Sequence, residues 1–482
     1  MEKIVVIGTD GGSWNLLWPW IQEGELPNLE KIRENGYSGD LRSTHPYVTV
    51  PAWKAYSTGR NPGRFGVFYW FTFDEEDGEL EFVNSEDFRS REIWDYLSDE
   101  GISSGVINMP STHPPSEIDE FMVSGTLASN EDDFTHPEEL KDQLLEKDYQ
   151  VEPTAEKKTR EWVDEIKSIV SKRTDLALEK LDEVDFLHLT FFFTDRVQHN
   201  YWNSDETLEV WKEVDRQIGR IMEQDVNIIL MSDHGFQDLE RFFYVNSWLE
   251  EKGYLRRNKD VGDKIQKTGL NRDRLFSLVK KLGLQDLARK LIPKSVRRRI
   301  PREDGFVEET DMAPKIDFQN SKAFALSEGP LYIIEENVED PETFKERLKE
   351  ELESFENGEI VREVKDGDQI YEGEFGDEAP DLFLDQAPGV EIRMDLSDKV
   401  IDEECGASSW IANHRQEGIW AAHGPDFWHG ELDLEIYDLM PTILHHYGLS
   451  IPSDVDGRVV TEIYKSGVEK EVKRDDVEDI DI

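Results

Sequence analysis

The chain has 482 residues, with 106 Asp and Glu against 55 Lys and Arg, for a formal charge of -51. That length supports a large core in one big domain or two. No apolar run approaches the roughly 18 residues of a membrane span, the acidic balance argues against a nucleic-acid binder, and the single Cys405 excludes an intrachain disulfide framework. The opening MEKIVVIGTD reads as a buried strand rather than a signal peptide, so a cytoplasmic location is expected. The carboxylate excess is dispersed, as on a solvated, halophilic surface whose self-repulsion is screened by high salt.

In chain order, apolar runs predict strands at 3–8, 105–108, 121–124, 186–192, 227–231 and 418–422. Most are continuous rather than alternating, as in strands buried on both faces of a parallel sheet. Helical patterns lie between them. The best covers 204–223, with Leu208, Trp211, Val214, Ile218 and Ile221 on one face. The alternation predicts an α/β sandwich. Residues 237–319 interrupt it. Within them, 252–302 holds 17 Lys or Arg against 4 Asp, with Leu275, Leu278, Val279 and Leu282 at helical spacing. Such a stretch suits an anionic surface or glycan, or packs on an acidic neighbouring face. The expected organisation is a core over 1–236, a helical basic insertion over 237–319, a second core part over 320–465, and a frayed acidic tail over 466–482.

Three predicted strands end near metal-competent carboxylates, Asp10, Asp195 and Asp233. Ligands of open α/β sheets gather at those carboxyl ends. Asp195 and His199, at i and i+4, share one helix face and can meet one cation; a capping Asp beside an unrelated His fits the same spacing. Asp233-His234 follows the run NIIL and precedes Gly235, which permits a tight turn. A turn Asp beside a surface His is the bland alternative. Asp10 follows IVVIGT and precedes two glycines, which suits a metal or phosphate site or a helix N-cap. Thr49 precedes Pro51 and a predicted helix over 52–58, where free N–H groups and the helix dipole favour a phosphoryl group. A Thr there also serves as a simple cap.

The order Asp10, Thr49, Asp195/His199, Asp233/His234 and a late His is far more specific than any part. With the segments VVIGTDGGSW, TVPAWKAYSTGRNPGRFGVF, INMPSTHPP, FFFTDRVQHNYW, MSDHGFQ, NHRQEGIWAAHGP and IYDLMPTILHHYGLSIPSDVDGR, the chain resembles the type I phosphodiesterase/nucleotide pyrophosphatase branch of the alkaline phosphatase superfamily, notably its archaeal phosphohydrolase-or-phosphomutase members. The resemblance runs from Val5 to Arg458. It implies an alkaline-phosphatase-like α/β/α sandwich with a mostly parallel sheet, a cap-like basic insertion, and two divalent ions, usually zinc, with manganese or iron open. By the family's pattern, Asp195, His199 and a late His hold one ion. Asp10, Asp233, His234 and the Thr49 hydroxyl hold the other. The late His is His414 in NHRQEG or His423 in AAHGP, and the family's ligand precedes the final strand, which favours His414.

Thr49 would be the nucleophile, forming a phosphothreonine intermediate. Arg196, Asn413 and Arg415 are candidate phosphoryl contacts. The implied activity is cleavage of small organic phosphodiesters or pyrophosphates. A phosphomonoesterase or phosphomutase using the same site is the alternative, and a sulfatase is disfavoured because it needs Cys or Ser where Thr49 stands. A non-catalytic protein that binds anions through the basic segment is a reading from another class. One departure matters. The family's nucleotide pyrophosphatases carry a phosphoryl-binding Asn shortly after an HG segment. Here the text reads Phe65-Gly-Val-Phe68-Tyr69-Trp70, with Phe65 in the place of the His and no Asn following. Nucleotide specificity is therefore not carried over, and the aromatic cluster over 68–71 is expected as core or pocket wall.

Overall fold

The computed structural model describes residues 2–74, 79–125, 128–258, 316–403, 410–466 and 471–474. Ten strands form the central sheet: β1 (Ile4–Thr9), β2 (Tyr37–Arg42), β3 (Ser104–Ile107), β4 (Phe121–Val123), β5 (Thr135–His136), β6 (Phe186–Phe191), β7 (Asn227–Met231), β8 (Glu417–His423), β9 (Gly430–Glu431) and β10 (Leu434–Glu435). Their order is β9-β2-β8-β7-β1-β6-β3-β4-β5, with β10 also on β2. The inner five, from β7 to β4, are all parallel. β8 runs antiparallel to both β7 and β2, and β5 runs antiparallel to β4. All six predicted strands lie in this sheet. The strand β2 was not among them: its YSGDLR carries charge and only partial burial, so it presents no continuous apolar run.

Alternation along β1 sends Ile4 and Val6 to one face and Val5 and Ile7 to the other, and all four are buried. The first face packs against α1 (Thr49–Thr58) and the helices Ile93–Asp99 and Leu439–Tyr447. The second packs against the helices Trp14–Gln22, Pro27–Asn35, Arg160–Lys180 and Asp205–Met222. The result is an α/β/α sandwich. The Asp205–Met222 helix shows how sequence dictates the layer. Ser204 caps it by accepting from the Thr207 N–H, Asp205 and Glu206 oppose its dipole, and Val210, Trp211, Val214, Ile218 and Ile221 form the buried stripe. Leu208 packs only at the stripe's edge. From the same helix, Asp215 accepts the Asn28 and Leu29 N–H groups at 3.0 and 2.7 Å, and so caps the Pro27–Asn35 helix.

Further strands follow β7. Arg241–Tyr244 pairs with Val390–Arg393 and Ile401–Asp402, and a four-stranded antiparallel sheet joins Ala323–Ala325, Pro330–Ile333, Leu382–Gln386 and Val361–Asp366. A second lobe, from the described residues of 239–258 and 316–403, thus stands between β7 and β8, and the main sheet resumes only at Glu417. The lobe's strands are short and partly acidic, so they left no strong apolar signal. Of the basic segment 252–302, the described part is 252–258. There Lys252 pairs with Glu351 at 3.1 Å and Arg257 with Glu250 at 2.6 Å. The remainder, with the predicted helix around Leu275, Leu278, Val279 and Leu282, lies outside the described residues. The tail over 466–482 was expected to fray. Within it, 471–474 lies on the core: the Ile451 N–H donates to the Lys473 carbonyl at 2.9 Å, and Arg474 bridges Ile451. Residues 475–482 lie outside the described set.

α1 is anchored by a buried ion pair. Lys54 Nζ sits 2.8 Å from Glu92 Oε1, which also accepts from Ser57 Oγ at 2.7 Å. Removing one partner leaves an uncompensated buried charge, which costs about 3–5 kcal/mol. Glu92→Ala is therefore expected to lower stability by about that amount in urea unfolding at high KCl. The Lys54→Met/Glu92→Leu double variant is expected to recover most of the loss.

Candidate metal centre

Each candidate ligand is presented by a specific local device. Gly8 on β1 leaves room for Trp53 of α1, since a Cβ there would lie 2.4 Å from the indole. Trp53 Nε1 in turn donates to Asp10 Oδ2 at 3.1 Å. Gly11 has φ +70, and a Cβ on it would lie 2.4 Å from the Phe236 ring. Its N–H donates to Asp233 Oδ1 at 3.0 Å. After β6, α2 (Phe193–Tyr201) carries Asp195 and His199 one turn apart. After β7, Ser232 Oγ donates to the Gly12 carbonyl at 3.0 Å and accepts from the Ile419 N–H at 2.8 Å, which fixes the turn that bears Asp233 and His234. A two-stranded ribbon of Gly235–Asp238 and Ala412–Arg415 then sets His414 opposite Phe236.

Two clusters result. Ligand atoms of Asp195, His199 and His414 lie within 4.8 Å of one another, and so do those of Asp10, Asp233 and His234. In the first, Asp195 Oδ1 is 3.3 Å from His199 Nε2 and 3.1 Å from His414 Nε2. In the second, His234 Nε2 is 3.3 Å from Asp233 Oδ2 and 3.6 Å from Asp10 Oδ1. The His234 and His414 rings stack with centroids 3.8 Å apart, so the clusters adjoin. Thr49, the first residue of α1, is buried with its Oγ1 3.5 Å from His234 Nε2. All three imidazoles turn Nδ1 away from the clusters, the first two onto backbone carbonyls and the third within ion-pair reach of a carboxylate but outside hydrogen-bond geometry. His199 Nδ1 lies 2.9 Å from the Ala412 carbonyl, His234 Nδ1 lies 3.2 Å from the Gly235 carbonyl, and His414 Nδ1 lies 3.0 Å from Glu328 Oε1.

The electrostatics call for cations. Asp10 Oδ1 and Asp233 Oδ2 are buried without a hydrogen-bond partner, a costly state for a carboxylate. Burial, reinforced by the Asp233 and Asp195 charges, holds Asp10 well above the usual carboxylate range. Burial and the Asp195 charge push Asp233 up to about 7, against the Gly11 N–H bond. Burial would also raise Asp195, but the His199 and His414 imidazoles outweigh it and hold that carboxyl well below its usual range. Burial keeps His234 well below the usual imidazole range, and the neighbouring His414 lowers it further. A cation would supply the partner that the Asp10 and Asp233 oxygens lack, and both clusters offer the imidazole nitrogens and carboxylate oxygens that can hold a metal.

All seven residues singled out as ligands or nucleophile thus come together. Arg196 lines the adjoining cavity, its Nε 3.9 Å from Asp195 Oδ2. Asn413 and Arg415 do not line it. They flank His414 on a strand, so alternation turns them to the other face, and Arg415 pairs there with Glu417 at 2.9 Å. His423 pairs with Ile228 near the amino end of β7, whereas the clusters sit beyond its carboxyl end. Tyr69 and Trp70 line the cavity with Phe192 and Trp410, while Phe65 is core. Four contributors escaped the sequence reading: Trp53, Glu328, Glu391 and Trp410. Trp410 stacks on His199 at 3.8 Å, and its place four residues before His414 was the available signal. Glu328 and Glu391 come from the second lobe, and no motif marks them.

A doubly covered parallel sheet with these clusters at its carboxyl edge is the architecture of a metal-dependent phosphoric ester hydrolase. The family profile for type I phosphodiesterase / nucleotide pyrophosphatase matches residues 4–426, and the chain belongs to that family. Among solved structures, human ectonucleotide pyrophosphatase / phosphodiesterase 5 is 14% identical, with a TM-score of 0.54 over 96% of this chain and 100% of that one. Phosphonoacetate hydrolase from Sinorhizobium meliloti 1021, in complex with phosphonoformate, is 15% identical, with a TM-score of 0.57 over 91% of this chain and 94% of that one. At these identities the likeness is one of fold. No curated protein sequence matches the chain. Among the described residues, no helix is long and apolar enough to cross a membrane.

His414→Ala is expected to remove one equivalent of bound metal per chain, measured by elemental analysis after gel filtration. His423→Ala is expected to keep the wild-type content.

Proposed function

We propose that the protein is a two-metal phosphodiesterase that cleaves small organic phosphodiesters or pyrophosphates through a phosphothreonine intermediate. The observation that carries this reading is the placement of the Thr49 hydroxyl. It is buried at the N-terminus of α1, beside His234 and two carboxylates with unpartnered oxygens. Asp195, His199 and His414 would hold one ion, and Asp10, Asp233, His234 and Thr49 the other. When bound, two such ions supply Lewis acidity to the attacking and leaving oxygens.

The chain's own residues do the rest. Thr49 Oγ1 attacks phosphorus in line; its bond to phosphorus forms as its O–H proton is given up, and the bond to the first alcohol or phosphate breaks, the leaving oxygen taking up a proton in return. Water then attacks the phosphothreonine, which returns the Thr49 hydroxyl and releases the second product. The first turn of α1 offers its N–H groups and positive dipole end to the phosphoryl oxygens. Arg196, at the cavity wall, is placed to pair with a non-bridging oxygen. Tyr69, Trp70, Phe192 and Trp410 give the leaving alcohol an apolar wall.

The cavity's charge favours a diester over a monoester. Glu328 and Glu391 share its wall with Arg196; burial pushes Glu391 up to about 7, so the repulsion comes mainly from Glu328, and a singly charged diester meets less of it than a dianionic monoester. A phosphomonoesterase or phosphomutase would use the same Thr49 and is the second reading. The dispersed carboxylate excess supports a salt-rich, cytoplasmic setting. An anionic surface or glycan contact through 252–302 is supported by the sequence alone.

In molar KCl with zinc or manganese, bis-p-nitrophenyl phosphate is expected to be hydrolysed faster than p-nitrophenyl phosphate. Thr49→Ala is expected to reduce the diester rate by on the order of 10³ or more, with the fold retained. Full activity in that variant would overturn Thr49 as the nucleophile, and faster monoester cleavage would promote the second reading.

A further inference from the structure

The structure assigns Glu328 of the second lobe as the positioning residue for His414, so that the lobe helps to orient one ligand of the metal centre. This rests on the metal-centre reading, but not on Thr49 or on the substrate.

Three imidazoles face the centre, and they are not oriented alike. His199 and His234 each set Nδ1 against a backbone carbonyl, of Ala412 and Gly235. Those carbonyls belong to the turn and ribbon that build the centre. His414 instead sets Nδ1 3.0 Å from the Glu328 carboxylate, which lies 86 residues earlier in the chain and in another sheet. The lobe holds His414 a second time: Gln386 Nε2 donates to the His414 backbone carbonyl at 3.3 Å. Side chain and backbone of this one residue are therefore both gripped from the lobe.

The turn that carries Glu328 is built for that placement. Glu328 has φ 62, a left-handed conformation that a glutamate seldom adopts. It is held there on both sides. Its N–H donates to the Ile392 carbonyl at 2.9 Å, and the next carbonyl, of Gly329, accepts from the Leu384 N–H at 2.9 Å. Ser327 Oγ accepts from the Met394 N–H at 3.2 Å. Gly329, at φ +117, could not be another residue, since a Cβ would lie 2.4 Å from the Leu384 carbonyl. A simple turn would place Asn, Asp or Gly at the left-handed position. Here a long carboxylate side chain stands there, buried, with its tip on a ligand imidazole. A carboxylate on the far nitrogen fixes the ring's orientation and tautomer and strengthens its donor nitrogen.

The test separates positioning from turn stability. Glu328→Asn suits the left-handed backbone but is one methylene too short to touch His414. Glu328→Gln keeps an acceptor oxygen at full reach. Metal affinity is measured by competition with a chromophoric chelator, and the cobalt-loaded visible spectrum reports on ligand geometry. The metal-free thermal midpoint reports on the turn. Glu328→Asn is expected to weaken one ion about 10–100-fold and to change the cobalt spectrum, while the metal-free midpoint stays level or rises. Glu328→Gln is expected to stay within a few-fold of wild type. Unchanged affinity in Glu328→Asn, an equal loss at both ions, or a Gln variant as weak as Asn overturns the assignment. A wild type that binds no divalent ion overturns the assignment and the metal-centre reading together.

Discussion

Crowded buried carboxylates are the constraint on which the rest of the structure depends. Asp10 and Asp233 offer oxygens within 4.8 Å of each other and of His234, with water excluded. Two charges at about 4 Å repel by about 4 kcal/mol even at an effective dielectric of 20. The adjoining Asp195 adds to both. A fold that only needed to be stable would not assemble them. Each is nonetheless fixed by a dedicated partner: Asp10 by the Trp53 indole, Asp233 by the Gly11 N–H, and Asp195 by two imidazoles. Rigid presentation with one oxygen left open on Asp10 and on Asp233 suits a cation that meets both at once.

The sheet turns that local demand into topology. β1 lies between β6 and β7, and all three run the same way, so Asp10, Asp195 and Asp233 leave the sheet at one edge. β8 runs the other way, so it enters the sheet at that edge and brings the preceding His414 with it. The same reversal carries His423 to the far end. α1 adds Thr49 above β1, and its anchors lie on both sides: Trp53 on Gly8, and Lys54 on Glu92. The second lobe closes the remaining side with Glu328 and Glu391.

These relations explain what the sequence could reveal. The inner strands were legible because burial on both faces writes continuous apolar runs. Asp195 and His199 were legible because helical spacing alone puts them on one face. Asp10 and the Asp233–His234 pair were legible because strand ends are where such a sheet gathers ligands, and the family resemblance joined them to Thr49 and His414. That Arg415 and Asn413 lie off the cavity was not legible, because neighbours on a strand point oppositely and the strand carrying His414 left no apolar signal. The strands of the lobe left little signal because those such as Val361–Asp366 bury only two positions, Val361 and Val364, and are rich in charge. Glu328 was beyond reach for a different reason. Its role depends on a contact between two sheets, and no local spacing encodes that.

A chain of charge -51 must still admit an anionic ester. The two requirements separate by length scale. The surface carboxylates act over distance, and salt shortens that distance to about 3 Å at 1 M. The metal centre and Arg196 act by contact, inside a cavity whose buried groups salt screens far less. In dilute buffer a field of that sign opposes the approach of an anion. In concentrated salt the field collapses and the contact terms remain. An acidic surface and a site for an anionic ester are therefore compatible in the ionic setting that the composition itself suggests, because salt screens the one far more than the other.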